Sequence, residues 1–363
     1  MIQKMRAKKR HFLRLLSLFT LPFGVAFLFT GCATLTESVS TSCSLYDLPP
    51  DLAVQSLHDS VIASFSTVFS GKVFFLDPGH GGSDRKNKSP NGTVTEADIN
   101  LKVALYLREM MQKAGAKVVM SRETDKTVEL KERPLMANNS GAQFFISIHH
   151  NAPGKPDDRF TNYTSTYYHA TEEDYEHHPS NRDMAKYVNR DLSFNTGRPA
   201  GLASFDGTIS DYLIYPGDGF AVLRGINIPG ILIECSFFTN LNEEIRLSDT
   251  LYNKLEAWGV FKGLGKYFRA PVPVLELKSK TVKNGKQTIG IGLSSKQPVD
   301  KGDITVFMNK APLPADKIKL EKSVITLDLG DAFKRETELK VIVTNKAGLS
   351  NLPFIIKLTP EVN

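Results

Sequence analysis

The run Val73-Phe74-Phe75-Leu76 is apolar and rich in aromatic and β-branched side chains, and it stops at Asp77-Pro78-Gly79-His80-Gly81-Gly82. A buried strand that ends in a glycine-rich turn sets any polar group of that turn at the strand's tip. Here the group is the imidazole of His80. The arrangement recurs twice: Phe144-Phe145-Ile146-Ser147-Ile148 runs into His149, and Gly230-Ile231-Leu232-Ile233 runs into Glu234. Strands are predicted over 73–76, 117–121, 144–149 and 231–235, and helices over 96–114, 130–139, 181–192 and 251–268. Strand–helix alternation of this kind predicts an α/β layer, an open, largely parallel sheet flanked by helices. In such sheets ligands bind beyond the carboxyl ends of the strands, where His80, His149 and Glu234 fall.

Two imidazoles and one carboxylate can hold a catalytic zinc with a fourth position left for water. A further carboxylate beside that water acts as general base. Glu96, after Thr95, opens a predicted helix whose apolar stripe is Ile99, Val103, Tyr106 and Met110. An acid in a first helical turn also complements the helix dipole, and that reading serves Asp98 equally well. His149 and His150 are adjacent, so their side chains leave a strand on opposite faces and only one readily joins the site. His149 shares parity with Phe145 and Ser147. Glu234 is an acid in an otherwise apolar strand, with a strand-end salt bridge as its structural reading.

Taken in order, DPGHGG, Glu96 with Asn100-Leu101, SRETDKTVELKERPLMAN, FFISIHHNA and IPGILIECSFFTNLNEE resemble the motifs of zinc-dependent N-acetylmuramoyl-L-alanine amidases, over residues 72–268. The resemblance implies one Zn2+ held by His80, Glu96 and His149, with Glu234 as the catalytic glutamate, and it implies peptidoglycan as substrate. It selects Glu96 over Asp98 and His149 over His150. His150 stands where the family usually has a small residue. Arg122 and Arg133 match family positions around the sheet, and structural salt bridges with neighbours such as Asp125 explain them as well as substrate contact does. Relatives that await an activator carry a long helix over the zinc between the second histidine and the catalytic glutamate. Here that interval holds breakers, Gly197-Arg198-Pro199-Ala200-Gly201 and Tyr215-Pro216-Gly217-Asp218-Gly219, which predicts an open cleft.

The formal charge of +6 does not mark a nucleic-acid surface, because Lys4, Arg6, Lys8, Lys9, Arg10 and Arg14 account for all of it within residues 1–31. Basic residues, then an apolar run over 15–30, then Phe29-Thr30-Gly31-Cys32 make an export signal that resembles a lipobox. The expectation is a lipoprotein anchored to a membrane through Cys32, in the periplasm or cell envelope, with an uncleaved anchor or ordinary signal cleavage as the alternatives. Residues 32–70 read as a Ser/Thr/Pro tether with one accessory helix, on the spacing of Leu52, Leu57, Val61 and Phe65. Cys43 lies in that tether, and Cys235 reads as a small buried hydrophobe. His177-His178 read as solvated surface residues.

The catalytic domain is expected over 71–269, after which Pro271 and Pro273 mark a linker. Residues 270–363 show short alternating runs, and turns such as Lys283-Asn284-Gly285 divide them into a small β-sandwich-like domain with no His. Two other functions fit parts of the sequence. Ser83-Asp84-Arg85-Lys86 and Ser193-Phe194-Asn195 fit the S-x-x-K and S-x-N patterns of a serine peptidoglycan carboxypeptidase, though no K-T-G follows. A catalytically silent, peptidoglycan-binding envelope lipoprotein is the other, and envelope or division proteins are candidate partners for either enzyme or binder.

Overall fold

The computed structural model describes residues 45–171, 178–201, 206–331 and 335–359. The leader, Cys32, Cys43 and His177 lie outside the described residues. The first sheet has six strands: β1 Val73–Pro78, β2 Lys117–Met120, β3 Phe144–Asn151, β4 Ser165–Tyr168, β5 Thr208–Ser210 and β6 Gly230–Phe237. Their order is β2-β1-β3-β6-β4-β5. All neighbours run parallel except β4 and β6. This is the expected open, largely parallel sheet, and β4 and β5 extend it beyond the four strands read from the sequence.

Strand alternation gives the sheet two apolar faces. On one face, Phe74, Leu76, Ile146, Ile148, Ile231 and Ile233 pack against three helices, Glu96–Lys113, Pro179–Thr196 and Thr250–Arg269. The last two helices approach so closely that a Cβ on Gly263 would lie 2.6 Å from the Cα of Val188. On the other face, Phe75, Phe145, Tyr167 and Leu232 meet Ala137 of the helix Glu132–Asn139 and Val222 of the short helix Ala221–Arg224.

The segment before β1 is three helical pieces, Pro50–Ala53, Gln55–Ser64 and Ser66–Phe69. Val54 breaks the predicted single helix by adopting extended backbone. Leu57 is exposed, while Ile62, Phe65 and Phe69 are buried in the main core. Asp51 accepts hydrogen bonds from Trp258 Nε1 (3.0 Å) and Lys262 Nζ (2.8 Å) of the long C-terminal helix. The segment is therefore packed onto the α/β layer.

Two antiparallel sheets follow. They are built from β7 Val274–Lys283, β8 Lys286–Ser294, β9 Ile304–Met308, β10 Ala311–Pro312, β11 Ile318–Glu321, β12 Val324–Asp331, β13 Thr337–Val343 and β14 Phe354–Leu358. Their orders are β10-β9-β13-β14 and β11-β12-β8-β7, around a core that includes Ile289, Ile291, Val306, Ile325, Leu339 and Val341. Asn284 and Gly285, at φ 52° and 72°, make the two-residue turn between β7 and β8. The C-terminal part meets the α/β layer where Ser350 N–H donates to Asp183 Oδ2 at 2.8 Å.

Candidate metal and catalytic site

Four groups converge at the carboxyl edge of β1, β3 and β6. His80 lies in the turn after β1 and holds φ 60°, a left-handed conformation that side chains other than glycine rarely adopt. Two buried arginines hold that turn by its carbonyl oxygens. Arg122 donates to Pro78 O (3.0 Å), Gly79 O (2.8 Å) and Ala97 O (2.7 Å). Arg133 donates to Asp77 Oδ1 (2.7 Å), Pro78 O (2.9 Å) and His80 O (2.9 Å). Burial, with the charge of Arg133 added, pushes the Arg122 guanidinium down to about 10, so it still carries its charge at neutral pH. Neither arginine forms an ion pair with Asp125, the partner suggested by the sequence; Asp125 pairs with Arg85 at 2.7 Å.

Glu96 starts its helix with its carboxylate buried between the two imidazoles. Oε2 is 3.1 Å from His80 Nε2, and Oε1 is 3.1 Å from His149 Nδ1. Burial pushes this carboxyl up, but hydrogen bonds from His149 and His80, and their charges, outweigh it and hold Glu96 well below the usual carboxylate range. Asn87 Nδ2 donates to Oε2 at 2.6 Å, and the His150 backbone N–H donates to Oε1 at 3.2 Å. On the far side of the His80 ring, Nδ1 lies 2.7 Å from Asp84 Oδ2. That bond holds the Nδ1 proton, so a cation that displaced the proton between Nε2 and Glu96 would meet the Nε2 lone pair. The His80 and His149 rings are 5.1 Å apart and nearly perpendicular.

Glu234 is the register partner of His149 across β3 and β6, so both side chains leave the same face of the sheet. Its Oε2 is out of solvent and has no hydrogen-bond partner among the described residues. Burial, then the negative charge of Glu96, pushes its carboxyl well above the ordinary range. A buried oxygen without a donor is costly unless a water or cation fills the gap. His80, Glu96 and His149 each offer a ligand atom within one 4.8 Å cluster. The donor set, the Asp84 bond behind His80 and the unpartnered Glu234 oxygen all fit a divalent cation with a water beside it.

Other candidates fall elsewhere. His150 leaves β3 on the opposite face and is buried against Asn100 and Glu256. His178, read from the sequence as solvated, is buried, because its Nδ1 accepts the Ser180 N–H at 3.3 Å and caps the helix Pro179–Thr196. Ser83 is exposed and bonds Thr127 (Oγ to Oγ1, 3.1 Å), and Lys86 is exposed, so nothing on the described residues couples the pair as nucleophile and base. Asn195 donates to the Asp191 carbonyl within its own helix. Cys235 is fully buried in β6, and burial, helped by Glu256 and Glu234, pushes its thiol well up. The arms of Arg122 and Arg133 were not legible as turn clamps, because apart from Asp77 Oδ1 their partners are backbone oxygens, which leave no mark in sequence.

Two imidazoles and a carboxylate at the carboxyl edge of a mostly parallel α/β sheet, with a second acid in register beside them, are a candidate ligand set and base of the kind found in α/β metallohydrolases. The chain belongs to the N-acetylmuramoyl-L-alanine amidase family, whose model matches residues 74–266. It is 31% identical over 218 residues to a germination-specific N-acetylmuramoyl-L-alanine amidase of Bacillus subtilis, covering 56% of this chain and 83% of that protein. It is 30% identical over 200 residues to the amidase LytC of the same organism, covering 55% of this chain and 36% of that one. Among solved structures, the amidase AmiC2 of Nostoc punctiforme matches with 26% identity and a TM-score of 0.47, over 55% of this chain and 99% of that one.

Proposed function

We propose that this chain hydrolyses the amide between the lactyl group of N-acetylmuramic acid and L-alanine in peptidoglycan, with one zinc held by His80, Glu96 and His149. The observation that carries the reading is the Glu96 carboxylate set between His80 Nε2 and His149 Nδ1, with Glu234 on the same sheet face. Zinc held by these three residues would supply Lewis acidity toward the scissile carbonyl and toward water. Glu234 takes a proton from the attacking water through its unpartnered Oε2 and returns it to the departing alanine amine. The burial that raises this carboxyl's proton affinity suits the return of the proton to the amine, and a cation at the ligand set would offset it, leaving Glu234 ionised to accept the proton first. Arg122 and Arg133 keep the His80 turn in its left-handed conformation, and Asp84 keeps the ring in the Nδ1–H tautomer.

The organisation proposed with this reading is an export signal over 1–31, a segment over 32–70 anchored through a lipidated Cys32, a catalytic domain over 71–269 and an accessory β-sandwich-like domain over 270–363. The envelope location is supported by the basic, apolar leader and by relatives named as cell wall amidases. Among the described residues no helix is long and apolar enough to cross a membrane.

Glu234→Gln tests the assignment. The variant should bind zinc as the wild type does and lose about 10²–10⁴-fold in turnover, read as released stem peptides with a free alanine amino terminus. Hydrolysis at the wild-type rate would remove Glu234 from the mechanism, and loss of activity in Ser83→Ala with Glu234→Gln active would install the serine reading.

A further inference from the structure

A buried chain of hydrogen bonds runs from the long C-terminal helix to Glu96. The His150 side chain is 0% exposed, and so is that of Glu256, whose two oxygens lie 3.2 and 3.3 Å from His150 Nε2. His150 Nδ1 lies 2.8 Å from Asn100 Oδ1. The Asn100 amide is oriented by its other half, because Nδ2 donates to Gly79 O and to Glu96 Oε1, each at 3.3 Å. Its Oδ1 must then accept, so the His150 Nδ1 carries a proton. Nε2 facing a carboxylate calls for one more proton between the two groups. Ser236 Oγ adds a donor to Glu256 Oε1 at 3.3 Å.

We infer that Glu256, His150 and Asn100 are positioning residues that fix the Glu96 carboxylate for metal binding, an inference that rests on the zinc reading above. Oε1 of Glu96 receives Asn100 Nδ2 at one end of the chain and the His150 backbone N–H directly, so a single residue restrains it twice. Partners behind a metal ligand fix its rotamer and tune its basicity, and their loss costs about 10–100-fold in metal affinity.

The same neighbourhood contains Cys235, and His150, Cys235 and Glu256 offer ligand atoms within 4.8 Å of one another. Two facts favour positioning over a second metal. His150 and Glu256 already satisfy each other, and the thiol sits among carboxylates out of solvent, where the thiolate a metal needs is disfavoured.

The test uses the full chain and zinc alone, titrated against a chromophoric chelator. The double variant His150→Phe/Glu256→Leu removes both buried polar groups together and leaves no orphan charge. It should stay folded, bind zinc about 10–100-fold more weakly and lower kcat more than it changes KM. Glu256→Gln keeps the volume and should weaken zinc binding in the same direction by a smaller factor, which covers the case of a double variant that does not fold. Wild-type zinc affinity in either folded variant overturns the inference. A second zinc per chain, lost in Cys235→Ala, overturns it in favour of a buried metal site. A wild-type chain that binds no zinc overturns the proposed function itself, whereas one zinc bound equally by wild type and variants overturns the positioning role alone.

Discussion

Gly79 shows how little room the site leaves. A Cβ built there would fall 2.1 Å from His149 Cε1 and 2.2 Å from its Nε2. Glycine at this position is required by the imidazole standing across it, because real Cβ atoms do not come so close and the ring would have to leave its place. Gly79→Ala should therefore bind zinc at least tenfold more weakly and lose about 1–3 kcal/mol of stability to overpacking. Zinc content after gel filtration, beside a denaturation curve, checks both; a variant with full zinc occupancy would show that the ring has another way to ligate. The strand-tip positions of His80, His149 and Glu234 were readable from sequence because β-branched runs and side-chain parity are local signals. The partner of His150 was not, since Glu256 is 106 residues away and nothing near His150 announces it.

At the scale of elements, the misses share a physical cause. Strand β4 is Ser-Thr-Tyr-Tyr, buried at all four positions without an apolar alternation to reveal it. Strand β7 is exposed or half-buried along its whole length, so it shows no hydrophobic period. The helix Leu241–Ser248 did carry a cue: Asn240 Oδ1 accepts the N–H groups of Asn242 and Glu243, an N-cap that the sequence displays. The helix Gln55–Ser64 supplies a pH-dependent prediction. Its His58 is 2% exposed, stacks on Trp258 at 4.8 Å, and has Asp59 Oδ1 3.5 Å from Nδ1, too poorly placed for a well-formed hydrogen bond, and no partner at Nε2 among the described residues. Burial holds this imidazole below its ordinary value, against a smaller opposing pull from Asp59. A depressed folded-state value means the unfolded chain takes up the proton first. The stability His58 contributes is thus present above about pH 6.5 and is lost as pH falls through its folded value. The urea midpoint of the wild type should drop between pH 7 and pH 5 by more than that of His58→Phe, which keeps the stack on Trp258. Equal drops would show that His58 does not titrate with folding.

At the scale of the whole molecule, the question is whether anything covers the proposed zinc site. Between His150 and Glu234 the described residues hold one long helix, Pro179–Thr196. Met184, Val188 and Leu192 commit it to the core, against the helix Thr250–Arg269 and on the apolar face of the sheet. That packing places it beside the sheet, and it has no apolar face left to lie over His80 and His149, whose side chains keep 23% and 18% of their exposure. Strand β4 runs antiparallel to β6, so the turn at 215–219, which follows β5, belongs to the opposite end of the sheet from Glu234. A shortened chain for the assay should begin no later than Leu45, because Tyr46 Oη bonds Asp249 at 2.5 Å, Arg246 bonds the Leu45 carbonyl and Asp51 holds Trp258 and Lys262. Residues 45–363, purified and loaded with zinc, should release alanine-terminated peptides from peptidoglycan without any added protein. Activity that stays at background until a second envelope protein is supplied would mean that the partly exposed imidazoles do not amount to a working cleft, and that closure or ordering by a partner completes it.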